Sequence, residues 1–582
     1  MVSREETQRK LDLLAAGAMR HTPEQRYTVA DRLEERAAES PEARFLIWDE
    51  GEISYREANR QANRYAHFAL TRGLRRGDVA ALMLDNCPDF IYCWMGLAKI
   101  GCIAALINTH IKGNALRHAL STTNSKILFV SERCLENLAT IDGRDECPVA
   151  LTIPLSQLDD MADGNPDRTL RQGMTGESTL SLVFTSGTTG LPKAAIVTHM
   201  RWLGTGDGWC SLFALDERDV FYCVLPLYHV AAGMSLLSQV LASGGAMVLR
   251  PRFSARRFWP DVRQYGVTVT QYSGEMCRYL FNQPARKEDR EHSLKLMSGA
   301  GLAAELWPRF QQRFGVETIA EGYGGTEINC NLINVDNKVG SCGRIPFKER
   351  SNARLVKYDL GGNDYPRNPD GTLIECAAGE VGELLGNIVQ IPGVGAGRFS
   401  GYTDLEATQQ KILHDVFQTG DRWFRTGDLL RRDEDDYYYF VDRIGDTFRW
   451  KSENVSTSEV ANALGGYAGL ELLTVYGVNI PGHEGRAGMA ALVMQSGRQF
   501  DPDSFYQLAT TALPGYAVPV FLRISEQADI TSTFKLRKVD LQKAAYKKIN
   551  DSDLLYVLDT DRETYSPMDN ATLARLGIPP GE

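Results

Sequence analysis

Helical and strand patterns alternate through the first 330 residues, and this alternation limits the possible folds more than any other feature of the sequence. Helices are predicted where apolar residues recur with helical spacing, and strands where short apolar runs lie between polar turns. The predicted helices cover residues 55–72 and 89–100, and the predicted strands cover residues 79–84, 127–130, 180–184, 220–225, 246–249 and 267–271. Such alternation predicts an α/β fold with layered helices and largely parallel sheets.

The pattern changes twice after residue 330. Short strands and turns rich in glycine, proline and aspartate predict a small β-barrel-like subdomain over about residues 339–440. Helix and strand patterns resume after Asp442, as in a small α+β domain. A chain of 582 residues also exceeds a single hydrophobic core. We therefore predict a large N-terminal domain, 1–444, and a smaller C-terminal domain, 445–582.

The overall charge argues against a nucleic-acid partner, and the spacing of the cysteines argues against a cysteine metal site. Acidic residues outnumber basic ones, 74 against 64, and no basic stripe with interleaved aromatic residues is present, so no nucleic-acid partner is expected. The 11 cysteines form no C-x-x-C pair and no metal-ligand spacing, which is typical of reduced thiols in a cytoplasmic protein. The acidic run Asp433–Asp436 is interpreted as a solvated hairpin turn and not as a metal site.

No membrane span is predicted. The first 26 residues are polar and charged and resemble neither a secretory leader nor a span. The most apolar stretch, residues 91–107, is interrupted by Lys99 and Gly101 and is shorter than the roughly 20 apolar residues that a spanning helix needs. A core helix followed by a buried strand is expected there. We predict a cytoplasmic protein, and peripheral contact with the inner face of a membrane is left open.

A glycine- and hydroxyl-rich run follows the predicted strand 180–184 and has the composition of an anion-binding loop. Its glycines let the backbone approach a phosphate closely, while hydroxyl groups and one ammonium supply further contacts. The run differs from a Walker A loop, because its lysine follows Leu191-Pro192 and precedes Ala194. The alternative is a polar turn between two strands. The candidate phosphate-binding residues are Thr185, Ser186, Gly187, Thr188, Thr189, Gly190 and Lys193.

This run resembles the AMP-binding signature of the adenylate-forming superfamily, which includes acyl-CoA synthetases, adenylation domains of peptide synthetases and luciferases. Further motifs of that family follow in the same order along the chain. They are Tyr323-Gly324-Gly325-Thr326-Glu327, Arg425-Thr426-Gly427-Asp428, Asp442-Arg443 and Thr531-Ser532-Thr533-Phe534-Lys535. Ordered matches at so many separate places are highly specific.

The resemblance implies an enzyme that uses ATP, Mg²⁺ and coenzyme A, and it implies a role for each motif. Glu327 would bind Mg²⁺, the neighbouring Thr326 would reach the α-phosphate, and Tyr323 would offer its ring to adenine. Asp428 would accept the ribose hydroxyls, with Arg443 also reaching the ribose. Taken singly, each residue has an ordinary structural alternative, namely a turn acid, a surface ion pair or a core tyrosine.

The same resemblance implies three further parts of the site. Lys535 would swing in from a mobile C-terminal domain and stabilise charge on the carboxylate and the α-phosphate. His229, in Pro226-Leu227-Tyr228-His229, would gate the carboxylate end of an acyl pocket, and the alternative is an ordinary buried histidine. The loop Gly299-Ala300-Gly301 would lie beside adenine and the acyl group.

The segment 442–455 closely resembles the fatty acid transport protein and very-long-chain acyl-CoA synthetase branch of the superfamily. That branch carries the pattern D-R-x-G-D-T-F-R-W-K-x-E-N-V, which this segment matches. Ser452 departs from the glycine that relatives usually have there. It lies in a loop that would line the CoA tunnel and that contains Trp450, Lys451, Ser452 and Glu453. Gly445 occupies the position of the family's interdomain hinge and permits a wide change of backbone angles.

The sequence therefore predicts a long-chain or very-long-chain fatty acid–CoA ligase that acts through an acyl-AMP intermediate. One alternative within the same chemistry is a CoA ligase for steroid or bile-acid side-chain carboxylates. An alternative of another class is a membrane-associated fatty acid uptake protein whose nucleotide site is vestigial. The expected partners are a small carboxylic acid, ATP and CoA, and the oligomeric state is left open.

Overall fold

The computed structural model describes residues 2–141, 148–153, 157–185, 192–451, 453–481, 483, 485–526 and 538–579. Helices and strands alternate from residue 29 to residue 323, as the sequence predicts. The elements of this region are α1 (Arg4–Ala18), α2 (Val29–Glu39), β1 (Arg44–Trp48), β2 (Gly51–Ser54), α3 (Tyr55–Thr71), β3 (Val79–Met83), α4 (Pro88–Lys99), β4 (Ile103–Leu106), α5 (Gly113–Thr122), β5 (Ile127–Ser131), α6 (Leu135–Leu138), β6 (Val149–Ile153), β7 (Thr179–Thr185), β8 (Lys193–Thr198), α7 (His199–Phe213), β9 (Val220–Cys223), α8 (Leu237–Ser243), β10 (Ala246–Leu249), α9 (Ala255–Tyr265), β11 (Val269–Ser273), α10 (Gly274–Phe281), β12 (Leu296–Ala300), α11 (Trp307–Phe314), β13 (Thr318–Tyr323) and β14 (Leu332–Ile333).

Two largely parallel sheets form the layers of this region, and the predicted α/β fold is confirmed. Within the described residues, one sheet has the strand order β14-β13-β12-β11-β9-β10-β1-β2 and the other the order β6-β5-β3-β4-β7-β8. Antiparallel pairing occurs at the edges, between β1 and β2, β13 and β14, and β7 and β8. Because the carboxyl ends of parallel strands share one edge of a sheet, the loops after them can form one site.

The most apolar stretch of the chain is a core helix and a buried strand, as predicted. Every residue of α4 from Phe90 to Lys99 is buried, and β4 follows after a turn at Gly101, whose φ of +72° suits glycine. No helix in the described part of the chain is long and apolar enough to cross a membrane. Strand β9 ends two residues before its predicted end, where the Leu225 carbonyl accepts a hydrogen bond from the Asn86 side chain instead.

An antiparallel sheet follows the first two. Its elements are β15 (Gly343–Arg344), β16 (Ala353–Lys357), β17 (Val381–Asn387), α12 (Leu405–Gln409), β18 (Ile412–His414), β19 (Arg422–Arg432) and β20 (Tyr437–Arg443). Strands β15-β20-β19-β17-β16 are neighbours in that order, and β18 pairs with β19. Residues 433–436 form the turn between β19 and β20, which confirms the predicted hairpin. Asp433 caps this turn by accepting the N–H of Tyr437 at 2.9 Å.

The remaining elements share one hydrophobic core and form two sheets. They are β21 (Phe448–Trp450), β22 (Glu453–Val455), α13 (Thr457–Leu464), β23 (Leu470–Val478), β24 (Ala487–Met494), α14 (Pro502–Ala512), β25 (Phe521–Ser525), α15 (Lys538–Ala544), β26 (Leu554–Asp559), β27 (Thr564–Pro567) and α16 (Asn570–Arg575). One sheet is the hairpin of β21 and β22, and the other is a mixed five-stranded sheet with the order β23-β24-β25-β26-β27. Phe448, Leu492, Phe505 and Phe521 are among the buried residues of the shared core. The domain boundary at residue 445 stays a prediction.

Helix α1 is packed against α7 and was not predicted as a helix. A Cβ atom at Gly17 would lie 2.3 Å from the carbonyl oxygen of Asp207, so only glycine allows this close approach. The same helix reaches the segment after β14, where Lys10 Nζ lies 2.9 Å from Asp336 Oδ1. The ten cysteines among the described residues form no disulfide.

Candidate active site

The glycine- and hydroxyl-rich run joins two paired strands at the edge of a sheet. Thr185 is the last residue of β7 and lies opposite Lys193, the first residue of β8. The predicted phosphate-binding residues between them, Ser186, Gly187, Thr188, Thr189 and Gly190, lie outside the described residues. The Lys193 ammonium lies 5.8 Å from the centroid of the Tyr402 ring, so this cation is held at the end of the strand.

Arg201 of α7 fixes the loop that follows β13. Its guanidinium donates hydrogen bonds to the carbonyl oxygens of Gly325 and Ile328, both at 3.0 Å, and to that of Thr326. The loop can therefore hold the side chain of Glu327 in one place although the loop itself has no regular structure. Sequence reasoning missed Arg201, because a single arginine at the start of a helix carries no motif.

The Glu327 carboxylate is bound by a buried tyrosine. The Tyr402 hydroxyl donates to Glu327 Oε1 at 3.0 Å, and Tyr402 is only 4% exposed. The backbone around Tyr402 continues the sheet beyond β8, because Ala195 and Tyr402 form an antiparallel bridge. Tyr402 thus joins the strand that carries Lys193 to the acidic residue predicted to bind the metal. It was also missed from the sequence.

The structure brings Asp428 and Tyr323 together, as their predicted roles at one nucleotide require. The Tyr323 hydroxyl donates to Asp428 Oδ2 at 2.8 Å, and Arg443 Nε lies 3.5 Å from Asp428 Oδ1. Burial raises the pKa of Asp428 above its ordinary value, although the Arg443 charge and the Tyr323 hydrogen bond oppose this shift. The position of Tyr323 against adenine stays a prediction.

A second buried carboxylate supports the part of β19 that carries Asp428. Glu383 accepts the N–H of Gly427 at 2.8 Å and the hydroxyl of Tyr365 at 2.6 Å. Burial raises the pKa of Glu383. Lys411 contacts the same part of β19, where its ammonium lies 3.4 Å from the Thr426 carbonyl oxygen. Burial lowers the pKa of Lys411. Neither Glu383 nor Lys411 was predicted.

Glu321 holds the loop Gly299–Gly301 at the end of β12. Its carboxylate accepts the N–H groups of Gly301 and Leu302 and the hydroxyl of Tyr272. A Cβ atom at Gly299 would lie 2.2 Å from the Tyr272 carbonyl oxygen, so a larger residue cannot replace this glycine without moving the strand. Ala300 and Gly301 are exposed, which leaves the loop accessible to a ligand.

His229 begins an irregular helical turn. Its Nδ1 accepts the N–H of Ala231 at 3.4 Å, and residues Val230–Leu236 form a π-helical turn before α8. Such turns occur frequently at functional sites. His229 is half-buried. Its role as a gate of the acyl pocket stays a prediction.

The segment predicted to line the CoA tunnel forms the hairpin of β21 and β22. The Trp450 ring is buried and lies 5.9 Å from the His483 ring, whereas Lys451 and Glu453 are exposed. Lys451 has a φ of +50°, as expected of a tight turn. Ser452 and the predicted catalytic Lys535 lie outside the described residues.

Comparison with known protein families and sequences identifies the family to which this chain belongs. Residues 33–385 match the family described as AMP-binding enzyme. The chain belongs to this family. It is 40% identical over 566 residues to long-chain fatty acid transport protein 1 of Rattus norvegicus, covering 94% of this chain and 86% of the relative. It is 36% identical over 548 residues to the medium/long-chain-fatty-acid–CoA ligase FadD6 of Mycobacterium tuberculosis, covering 94% and 90%. The prediction of an enzyme of this family is confirmed.

Solved structures of AMP-binding enzymes share the fold. The anthranilate CoA ligase AuaEII, in complex with anthranoyl-AMP, has a TM-score of 0.74 at 22% identity, over 91% of this chain and 98% of that one. ATP-bound MatB from Rhodopseudomonas palustris has a TM-score of 0.73 at 20% identity, over 89% and 99%. These likenesses place the described sheets in the adenylate-forming fold.

In this AMP-binding enzyme, hydrogen bonds and an ion pair connect the residues on either side of Gly445, and helix α13, to neighbouring elements. Asp442, at the end of β20, accepts the N–H of Thr457 at 2.6 Å, and Lys538 Nζ lies 3.1 Å from Asp446 Oδ2. Arg278 of α10 donates to the Gly465 carbonyl oxygen at 2.9 Å. The Asp442 contact joins α13 to the antiparallel sheet, and the Arg278 contact joins the end of α13 to helix α10.

Proposed function

We propose that this AMP-binding enzyme is an ATP- and Mg²⁺-dependent long-chain or very-long-chain fatty acid–CoA ligase that acts through acyl-AMP. The observation that supports this most directly is that Tyr402 holds together the cation Lys193 and the carboxylate Glu327. Asp428 lies on strand β19 and is bound to Tyr323. A phosphate-binding cation, a metal-binding carboxylate and a ribose-binding carboxylate are the groups that an ATP site of this chemistry needs.

The first half-reaction joins two anions, so charge neutralisation and alignment dominate it. A carboxylate oxygen of the acid attacks the α-phosphorus of ATP, and the bond from that phosphorus to the bridging oxygen breaks, releasing pyrophosphate. The loop 185–193 would hold the β- and γ-phosphates, and Thr326 would reach the α-phosphate. Lys535 would stabilise the developing charge. Asp428 and Arg443 would hold the ribose.

In the second half-reaction the CoA sulfur attacks the acyl carbon of acyl-AMP. The carbon–oxygen bond to phosphate breaks, AMP leaves with the bonding electrons, and the thiol proton is released. We infer that residues 445–582 reorient about Gly445 between the two steps, so that the segment around Trp450 replaces Lys535 at the acyl carbon. The contacts of Asp442 and Arg278 described above would belong to one of these two orientations.

The residues present fit a Mg²⁺ ion that arrives with ATP. No group of three histidine, cysteine, aspartate or glutamate side chains able to hold a metal occurs in the described part of the chain. Mg²⁺ is usually bound beside nucleotides by one or two carboxylates together with phosphate oxygens and water, and Glu327 supplies one such carboxylate. The ion would supply positive charge to the phosphate oxygens.

The acyl group is proposed from the relatives, which are named for long-chain and medium- or long-chain fatty acids. The purified protein should release pyrophosphate with ATP, Mg²⁺ and a long-chain fatty acid, and it should form a thioester when CoA is added. A panel of carboxylates would include bile acids, and thioester formation with those alone would replace the fatty acid assignment. Fatty acid binding without pyrophosphate release from any acid would contradict a ligase and favour an uptake protein.

Lys535→Ala gives a sharper test of the two half-reactions. The variant should lose acyl-AMP formation from acid and ATP, since the developing charge loses its ammonium partner. It should still convert supplied acyl-AMP and CoA into thioester. Equal loss in both half-reactions would show that Lys535 has a different role.

A further inference from the structure

Tyr402 contacts two other parts of the candidate active site that are distant from it in the sequence, namely the loop after β13 and the strand β8. Its hydroxyl contacts Glu327 in the loop after β13, its ring lies beside the Lys193 ammonium, and its backbone is bridged to Ala195 of β8. The residue is 4% exposed. A buried phenol hydroxyl is expected to have a hydrogen-bond partner, and here that partner is a carboxylate of the proposed metal site.

The position of the hydroxyl is fixed by the backbone that carries it. The N–H of Ile196 donates to the Gly401 carbonyl at 3.1 Å, and the N–H of Thr403 donates to the Ala194 carbonyl at 3.0 Å. Gly401 has a φ of +75°, and a Cβ atom there would lie 2.7 Å from Thr408. Glycine is therefore required for the turn that delivers Tyr402.

The Glu327 carboxylate is held by a residue outside its own loop. Arg201 fixes the loop backbone through the carbonyls of Gly325 and Ile328, and Tyr402 donates to Oε1. Among the described residues, Oε1 is the Glu327 oxygen that accepts a hydrogen bond, and Oε2 accepts none. One oxygen is thus occupied by a fixed donor, and the other remains able to meet a cation.

We propose that Tyr402 is a positioning residue for Mg²⁺, which orients the Glu327 carboxylate through its hydroxyl and links that carboxylate to the strand of the phosphate-binding loop. This role rests on the proposed function of Glu327 as the metal-binding residue. Partners that orient a metal-binding side chain typically contribute about 10- to 100-fold to metal affinity. A purely structural tyrosine would instead affect folding and nucleotide binding alike, with and without metal.

The test is the coupling between Mg²⁺ and ATP, measured by calorimetric ATP binding without turnover. The coupling factor is the ATP dissociation constant in excess chelator divided by that at saturating Mg²⁺. Tyr402→Phe keeps the ring beside Lys193 and removes only the hydroxyl. It should lower the coupling factor about tenfold or more and leave ATP affinity in chelator unchanged.

Tyr437→Phe is the matched control. The Tyr437 hydroxyl also donates to a carboxylate, Asp336 Oδ2 at 3.1 Å, and Tyr437 is likewise buried at 5% exposure. This variant should keep the wild-type coupling factor. A Tyr402→Phe protein with the wild-type coupling factor, or with an equal loss of ATP affinity in both conditions, would overturn the positioning role.

Glu327→Gln separates failure of this inference from failure of the proposed function. It should remove most of the coupling, because the amide cannot supply the charge that Mg²⁺ needs. If wild type shows coupling that Glu327→Gln removes but Tyr402→Phe retains, only the role of Tyr402 is wrong. If wild type shows no coupling, or if Glu327→Gln retains it, the proposed metal site itself is wrong.

Discussion

Asp31 and Glu34 on α2 bind well-buried cations at close range, whereas the arginines paired with Glu383 and Asp428 in the candidate site are farther away and partly exposed, at 3.9 and 3.5 Å. Asp31 and Glu34 both bind Arg171, at 3.0 and 2.7 Å, and Glu34 also binds Lys99 at 2.8 Å. These partners outweigh the effect of burial, so the pKa of Glu34 is lowered. We call this group the α2 cluster, and it consists of Asp31, Arg32, Glu34, Lys99, Arg171 and Asp207.

The site carboxylates Glu383 and Asp428 have the opposite balance. Burial raises the pKa of both Asp428 and Glu383. Glu327, Glu383 and Asp428 all act on the half-buried ammonium of Lys411. The arginines nearest to Glu383 and Asp428, Arg425 and Arg443, are 32% and 51% exposed. Buried negative charge with incomplete compensation is costly in the free protein. It suits a site that receives a metal ion and a nucleotide, and pKa shifts of this kind are typical of functional sites.

Asp207→Ala should have the largest effect on stability. Arg32 donates to Asp207 at 2.9 and 3.0 Å, and His21 Nε2 lies 2.6 Å from the same carboxylate. Removing one partner of a buried pair leaves an uncompensated charge and costs about 3–5 kcal/mol. Urea unfolding would measure this loss, and ATP affinity of the folded protein should be retained.

The exposed pair of Arg218 and Asp216 provides the control for that variant. Arg218 is 84% exposed, so Arg218→Ala should hardly change the free energy of unfolding. If Asp207→Ala lowered the free energy of unfolding no more than Arg218→Ala does, the α2 cluster would not stabilise the fold as proposed.

Asp428→Asn should have the reverse consequence. The amide removes a buried charge without changing the shape of the side chain, so the free energy of unfolding should stay the same or rise. ATP binding should weaken roughly 10- to 100-fold, because hydrogen bonds to a charged group contribute about 1.5–3 kcal/mol. Unfolding and calorimetric binding on the same preparation would measure both. Lower stability with unchanged ATP affinity would make Asp428 a structural residue.

The two regions also differ in what the sequence could predict. The motifs identified Asp428, Glu327 and Tyr323, and the alternating pattern predicted the parallel sheets. The supports were not predictable, because they depend on contacts between distant parts of the chain. Arg201 and the Ile328 carbonyl are 127 residues apart, and Tyr402 and Glu327 are 75 apart.

The antiparallel sheet edges and helix α1 were missed for related reasons. Edge pairing such as that of β13 with β14 depends on which segment returns to the sheet, which periodicity does not specify. Helix α1 is largely polar, and its packing depends on Gly17 meeting α7 almost 190 residues later. Local pattern predicts elements, whereas the identity of an element's neighbour is set by the tertiary fold.

The α2 cluster and the candidate site should also differ in how their contributions to the free energy of unfolding change with pH, and this difference should be smaller than the effects above. Hydrogen bonds from Thr28 and Arg168 and the Arg171 charge outweigh burial and hold the pKa of Asp31 at about 2, below the value of about 3.9 in an unfolded chain. Its stabilisation is therefore complete above about pH 4 and is lost only as the pH falls towards 2. The pKa of Asp428 is raised, so its penalty is present at neutral pH and is relieved as the pH falls through that raised value.

Unfolding of wild type, Asp31→Asn and Asp428→Asn between pH 7 and pH 4 would measure these slopes. The difference between wild type and Asp31→Asn should stay constant over this range. The difference between wild type and Asp428→Asn should shrink as the pH falls, because protonation relieves the penalty in wild type alone. Parallel behaviour of the two variants would remove the electrostatic distinction between the regions.

Arg443→Gln should have the smallest effect and tests the ion pair between the half-exposed Arg443 and Asp428. The Arg443 side chain is 51% exposed, and its Nε lies 3.5 Å from Asp428. Exposed pairs contribute about 0–1 kcal/mol, so stability should hardly change, in contrast to Asp207→Ala. ATP affinity should nevertheless fall several-fold, since a partial counter-charge of the carboxylate proposed to bind the ribose is lost, and the fall should be smaller than in Asp428→Asn. In the double variant Arg443→Gln with Asp428→Asn, the two losses should be less than additive, because Arg443 acts partly through Asp428. Full additivity would mean that Arg443 contacts the nucleotide independently of Asp428.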